Sequence, residues 1–289
     1  MLRFVHLLRR AFWRAFQDNC FALAKASAYS SILTFFPALL VVASVLAASR
    51  NTEAFLQEIA AGLGRVLPPG SSATAMRIIQ QAHPRPVAML VTTSIFTLLA
   101  ASGVMISWME GFRYAYRLPK IWGFWKERAI ALLLVMLAFL PMTFATLLVG
   151  LGGQIETWMV FHSSRELGAY ILVFFSGARW TIATVTSIAV FSLVYHYGLP
   201  RTQPWRCVLP GAAVSTGLWF GATLVFAFYL QHFATYSVIY GSLSAAIALL
   251  VWMYLISIVA LVGAEFNAMI YPKALEGEEP AAAAVRQSA

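Results

Sequence analysis

One guanidinium in this sequence has no obvious right to be where it is. Arg179 lies about ten residues into a run of apolar residues, Tyr170 to Tyr197, that carries no other charge. On a helix rising about 1.5 Å per residue it would stand roughly 15 Å deep, near the middle of a bilayer. Leaving an arginine there costs about 2.5–3.5 kcal/mol on insertion scales, so such a residue faces protein or water rather than acyl chains. Ser176, Ala183, Thr186 and Ser187 fall on the same helical face, which predicts a small, polar stripe turned toward a bundle interior. Two readings follow. Arg179, with Ser176 and Thr186, binds an anionic group in a wet cavity, or it is a structural arginine held by carbonyls or a carboxylate. Lys25, near one end of the first apolar run, is a further candidate for anion binding, although its long stem can also snorkel to the interface.

Carboxylates and prolines supply the remaining candidates. Glu110 and Glu265 sit at the ends of the second and sixth apolar runs, within reach of Lys25 or Arg113, and are candidates for proton coupling or gating. Pro37 and Pro141 lie inside apolar runs, where each removes a helix hydrogen bond and bends the chain. Interrupted helices line substrate sites in many transporters. Gly217 and Gly221 form a GxxxG, which predicts close helix packing.

Enzymatic constellations are missing from the sequence. The five histidines are scattered and none pairs with a carboxylate or forms HxxxH. There is no Walker A loop, GxSxG or dinucleotide fingerprint. Neither a catalytic set, a metal site nor a cofactor is expected. Cys20 and Cys207 both fall at membrane edges on the same side, which argues against a disulfide.

The elements that must position these residues are membrane helices. Hydrophobic residues make up 61% of the 289 and charged residues 11%, against about 25% charged in a soluble domain. Six runs are long enough to cross a hydrocarbon core about 30 Å thick. They are 21–49, 87–109, 129–154, 170–197, 208–230 and 242–263. Backbone groups in lipid must be satisfied within the segment, so an all-α, six-span polytopic bundle is predicted over 21–272. Thirteen Lys and Arg residues flank one side of these spans and five flank the other. That asymmetry places both termini in the cytoplasm. The basic balance fits anionic lipid headgroups better than nucleic acid.

Outside the spans, residues 1–20 read as an amphipathic interfacial helix. Val5, Leu8, Phe12 and Phe16 share one face, and Arg3, Arg10, Arg14 and Gln17 the other. Residues 52–82 read as an outer helical hairpin broken at Pro68-Pro69-Gly70, and 273–289 as a disordered cytoplasmic tail. Trp122, Tyr195, Tyr197 and Trp205 are among the aromatics placed at the predicted interfaces.

The segment ASAYSSILTFFPALLVV from Ala26 resembles the first-span signature of the YihY/BrkB family of bacterial inner-membrane proteins. YGSLSAAIALLVWMYLISIVALVGAEFNA from Tyr240 resembles its C-terminal signature, at Tyr240, Gly241, Trp252, Gly263, Glu265 and Asn267. WKERAIAL from Trp125 is also similar. The resemblance implies a six-span protein of the inner membrane and no settled activity, since members carry ribonuclease BN, virulence and serum-resistance labels. It leaves a lipid or amphiphilic-anion transporter as the leading expectation. A non-transporting scaffold for envelope assembly is the alternative, and a ribonuclease a remote one. Expected partners are membrane lipids, and a homo-oligomer or an envelope partner held through the outer hairpin.

Overall fold

The computed structural model describes residues 2–47, 86–161, 165–232 and 243–271. Within them lie seven helices and no strand. They are α1 (Leu2–Gln17), α2 (Cys20–Ala47), α3 (Val87–Ala115), α4 (Phe124–Phe161), α5 (Arg165–Tyr197), α6 (Trp205–His232) and α7 (Leu243–Ile270). The last six are long and apolar enough to cross a membrane. The hairpin expected over 52–82 and the tail 273–289 lie outside the described residues.

Most helices overrun the apolar runs that announce them. α3 continues to Ala115 and α7 to Ile270, because flanking polar residues can stay helical once out of the hydrocarbon. α4 has 38 residues, about 57 Å of helix against a core of about 30 Å.

The six long helices form a closed ring. Each packs on its neighbours in chain order, and α7 returns to α2. α7 also touches α3 across the ring, where Leu261 fills the space a side chain at Gly111 would need. That cross-contact lies near the end carrying the 116–123 and 198–204 connections, called the basic end below. The largest fully buried side chains gather there, including Met109, Phe112, Leu134, Leu199, Val208 and Leu261. Toward the other end, described side chains such as Val91, Ile95, Leu140 and Phe144 face outward. The larger part of the core is thus a plug at that end, and a second buried cluster of Phe226, Ala248, Leu249 and Trp252, with Ile32, Phe35 and Leu230 beside it, ties α2, α6 and α7 together nearer the other end.

Local chemistry explains the two sharp turns at the basic end. α1 and α2 are divided by Asp18-Asn19, and Asn19 takes a left-handed conformation at φ 56°, which Asn tolerates better than most residues. α3 ends on a Schellman motif: Leu118 N–H donates to the Arg113 carbonyl and Arg117 N–H to that of Tyr114. Arg117 occupies the left-handed position at φ 54°, where glycine is usual.

α1 docks by a face that its apolar pattern did not announce. Its contact with the bundle, mainly α7, is made by Ala11 and Ala15 with Leu7 and Leu8 beside them. Val5, Phe12, Trp13 and Phe16 point away from the protein. The helix is thus apolar on two sides, one docked on protein and one exposed. Arg14, assigned to the polar face, approaches Glu265 instead.

Candidate functional site

Arg179 stands on the interior face of α5. Ala183, Ser187, Val190 and Val194 continue that face toward the basic end, and all are buried. The Arg179 Nε and one Nη are shielded from solvent by protein. Trp180, on the outer face, stacks edge-on against Phe220 of α6. Thr186 is half-buried, and Ser187 donates back to the Ala183 carbonyl. The side chain of Ser176 lies outside the described residues.

Counting along each helix puts two further candidates in the same layer. Arg179 precedes the end of α5 at Tyr197 by eighteen residues. Pro37 follows the start of α2 by seventeen, and Pro141 follows the start of α4 by seventeen. Each is therefore about 25 Å from the basic end of its helix. The two prolines free the carbonyls of Leu33 and Leu137 at this level.

The carboxylates are used differently from expectation. Arg113 pairs with Glu127 rather than with Glu110 or Glu265, both partners being buried, and Lys120 Nζ lies 3.0 Å from the second Glu127 oxygen. Glu110 instead accepts from the Tyr114 hydroxyl at 3.3 Å, at the surface. Lys25 is exposed. Arg128 reaches across from α4 to α3, where Nη1 donates to Ser102 Oγ at 2.6 Å. These contacts lock the α3–α4 connection.

Glu265 is 0% exposed. The Cys20 thiol lies 3.9 Å from its Oε1, Oε2 has no hydrogen-bond partner of good geometry among the described residues, and Asp18 and Arg14 face it. The carboxyl thus sits where α1, α2 and α7 meet. Both cysteines are free thiols.

The rest of the C-terminal signature is explained by the α6–α7 crossing. At Gly263 a Cβ would collide with Ser215 Oγ, Tyr195 Oη and the Gly211 carbonyl. This glycine lets two backbones meet. Asn267 accepts from Gly211 N–H at 2.6 Å and donates to the Val208 carbonyl at 3.0 Å. It satisfies backbone groups on either side of Pro210, which interrupts the ladder of α6. The Tyr195 hydroxyl lies 2.7 Å from Ser215 Oγ and 2.7 Å from the Ala260 carbonyl. Tyr195 is therefore a core residue and not part of an interfacial belt. The close packing expected at Gly217 and Gly221 does not occur, since nothing lies within 4 Å of a Cβ at either. Among the described residues, the glycines that bring helices together are Gly103, Gly111, Gly211 and Gly263.

Two connections meet over the plug. Gln203 is 1% exposed, its amide makes no hydrogen bond of good geometry, and it faces the Tyr116 hydroxyl. Burial pushes the Tyr116 phenol up, well above its ordinary range. Among the described residues no three His, Cys, Asp or Glu side chains converge to hold a metal.

The virulence factor BrkB family model matches residues 11–288. The chain belongs to that family. It is 30% identical over 189 residues to YfkH of Bacillus subtilis, whose name calls it ribonuclease-like, covering 64% of this chain and 67% of that one. It is 26% identical to a UPF0761 membrane protein of Nitrosospira multiformis, over 93% of this chain and 62% of the relative. A UPF0761 membrane protein of Tolumonas auensis is 25% identical, over 93% and 88%. The chain thus spans less than two thirds of several curated relatives it matches, among them those of Nitrosospira and Alkalilimnicola. No solved structure matches it. With six apolar helices and relatives named as membrane proteins, this BrkB-family chain is a multi-pass protein of the bacterial inner membrane.

Three parts of this site escaped the sequence reading: the Arg113–Glu127 pair, the Asn267 clamp and the facing of Glu265 by Asp18 and Arg14. Glu127 did carry a signal, as the one carboxylate in the 111–128 stretch among five basic residues.

Proposed function

We propose that this BrkB-family protein moves an amphiphilic anion, such as a lipid, across the inner membrane, with Arg179 meeting its negative group. One observation carries the reading. A mid-helix guanidinium is turned into the ring, shielded by protein, at the level of two helix-breaking prolines. An arginine in a low-dielectric interior attracts anions strongly, and its fork matches a phosphate or carboxylate. The prolines supply bending points about which α2 and α4 open the ring. Under this reading Glu265, buried beside Asp18 and Arg14, is the coupling carboxyl, and the plug at the basic end is the gate. The basic end faces the cytoplasm, in accord with the positive-inside rule.

The test is transport in reconstituted liposomes. Wild type moves a fluorescent anionic phospholipid between leaflets, and Arg179→Ala slows it by about tenfold or more, the scale expected when a buried charge contact is lost. Arg179→Lys, which keeps charge but not the fork, gives an intermediate rate. Wild-type rates in Arg179→Ala would remove the site. No movement by the wild type of any anionic lipid or soluble organic anion would remove the function. The ribonuclease reading rests on the printed name of one relative.

A further inference from the structure

We infer that the protein holds a resident anionic phospholipid in a groove between α1, α6 and α7, with one acyl chain in the groove and the phosphate at its basic end. The groove has a volume of about 650 Å³ and an almost wholly apolar lining, within the size range of small-molecule sites. Leu7 and Leu8 of α1 form one wall, Pro210 and Gly217 of α6 the floor, and Phe266 and Ile270 of α7 the other wall. Its floor, from Pro210 to Leu218, is about 12 Å long on the helical rise.

Charge and position choose the occupant. A lining without polar groups suits hydrocarbon. The foot of the groove lies where α6 begins and α7 ends, at the basic end. Arg206 stands one turn before Pro210, on the same side of α6, and is exposed. A basic residue at the foot of an apolar groove favours an anionic headgroup over a zwitterionic one. No side chain fills the space above Gly217, where an added Cβ meets nothing within 4 Å. The open GxxxG face is thus a seat for a chain of methylenes. This site is independent of Arg179 and of any transport, so it stands or falls separately.

The experiment is native mass spectrometry of the full chain, purified in detergent and titrated with phosphatidylglycerol or phosphatidylcholine of identical chains. Wild type retains one phosphatidylglycerol in preference to phosphatidylcholine. Arg206→Gln reduces that preference by about fivefold, the effect of one basic residue near a lipid surface. Gly217→Leu fills the groove and lowers occupancy by both lipids by about tenfold, as expected when most of the apolar contact is lost. Equal occupancy in Gly217→Leu and wild type would overturn the inference. So would a wild-type dimer that Gly217→Leu disrupts while lipid binding is unchanged, because the face would then seat a second copy. Ala213→Leu is the companion variant. If both substitutions prevent folding, the space is not open and the inference fails.

Discussion

Two glycines on neighbouring helices make opposite predictions. In Gly263→Ala the new methyl meets Ser215 Oγ, the Tyr195 hydroxyl and the Gly211 carbonyl. None is the loose end of a long side chain. Ser215 is fully buried, and Tyr195 is held by hydrogen bonds to Ser215 and the Ala260 carbonyl. Overpacking of this kind costs about 1–3 kcal/mol. The helices must also separate, which stretches the Asn267 bonds to Gly211 and Val208, and each such buried bond left unmade adds about 1–3 kcal/mol. A total loss of about 3–9 kcal/mol is a large part of typical domain stability. Gly217→Ala meets nothing, and replacing glycine inside a helix contributes about 1 kcal/mol in favour of the fold. Thermal unfolding in detergent, followed by the far-ultraviolet helix signal, separates the two. Gly263→Ala melts well below wild type and Gly217→Ala at or slightly above it. The double variant Gly263→Ala with Ser215→Ala recovers part of the loss, since it removes the nearest collision. Equal melting of Gly263→Ala and wild type, or equal damage from both glycine changes, would refute the α6–α7 crossing and the lipid-facing assignment together.

Glu127→Gln leaves Arg113 buried beside a neutral amide and lowers stability by about 3–5 kcal/mol, whereas Lys120→Ala, at the exposed end of the same cluster, changes the melting temperature little. Arg117→Gly relieves a left-handed arginine and raises stability by about 1 kcal/mol, measured by the same melt. The Tyr116 phenol holds its proton more tightly folded than unfolded, so its stabilising contribution is intact below about pH 10, where the unfolded phenol begins to ionise. It is then lost as pH rises further toward the folded value. Above about pH 10 the wild type loses stability more steeply than Tyr116→Phe.

The six helices were readable because length and apolarity answer to the bilayer alone. Which face of each helix meets protein was not readable in the same way, and the physical reason is that lipid tails and a protein interior are equally apolar. Gly217-x-x-x-Gly221 and Gly263 look alike as sequence, yet the first is bare and the second lies at a crossing. On α1 the expected apolar face leaves Val5, Phe12 and Phe16 off the protein, while Ala11 and Ala15, which the pattern did not single out, make the docking contact. Polar residues in apolar runs were better guides. Arg179 was expected to face inward and is shielded by protein. Tyr195, placed by its position near a span end, was misjudged because an end of a span can also be the middle of a core. Glu127 was passed over as one flank charge among several, although a lone carboxylate among bases is a natural ion-pair partner.

The concentration of the core at one end has a consequence for the other. Where side chains such as Val91, Ile95, Leu140 and Phe144 are exposed, α3 and α4 rest on the surrounding acyl chains, outside the buried Phe226–Leu249–Trp252 cluster that ties α2, α6 and α7. Lateral pressure, membrane thickness and tail order then become part of the tertiary structure in that half. The same polypeptide will hold one width in a stiff, thick bilayer and another in a fluid, thin one, hinged each time on the unchanging knot of Gly263, Tyr195 and Asn267.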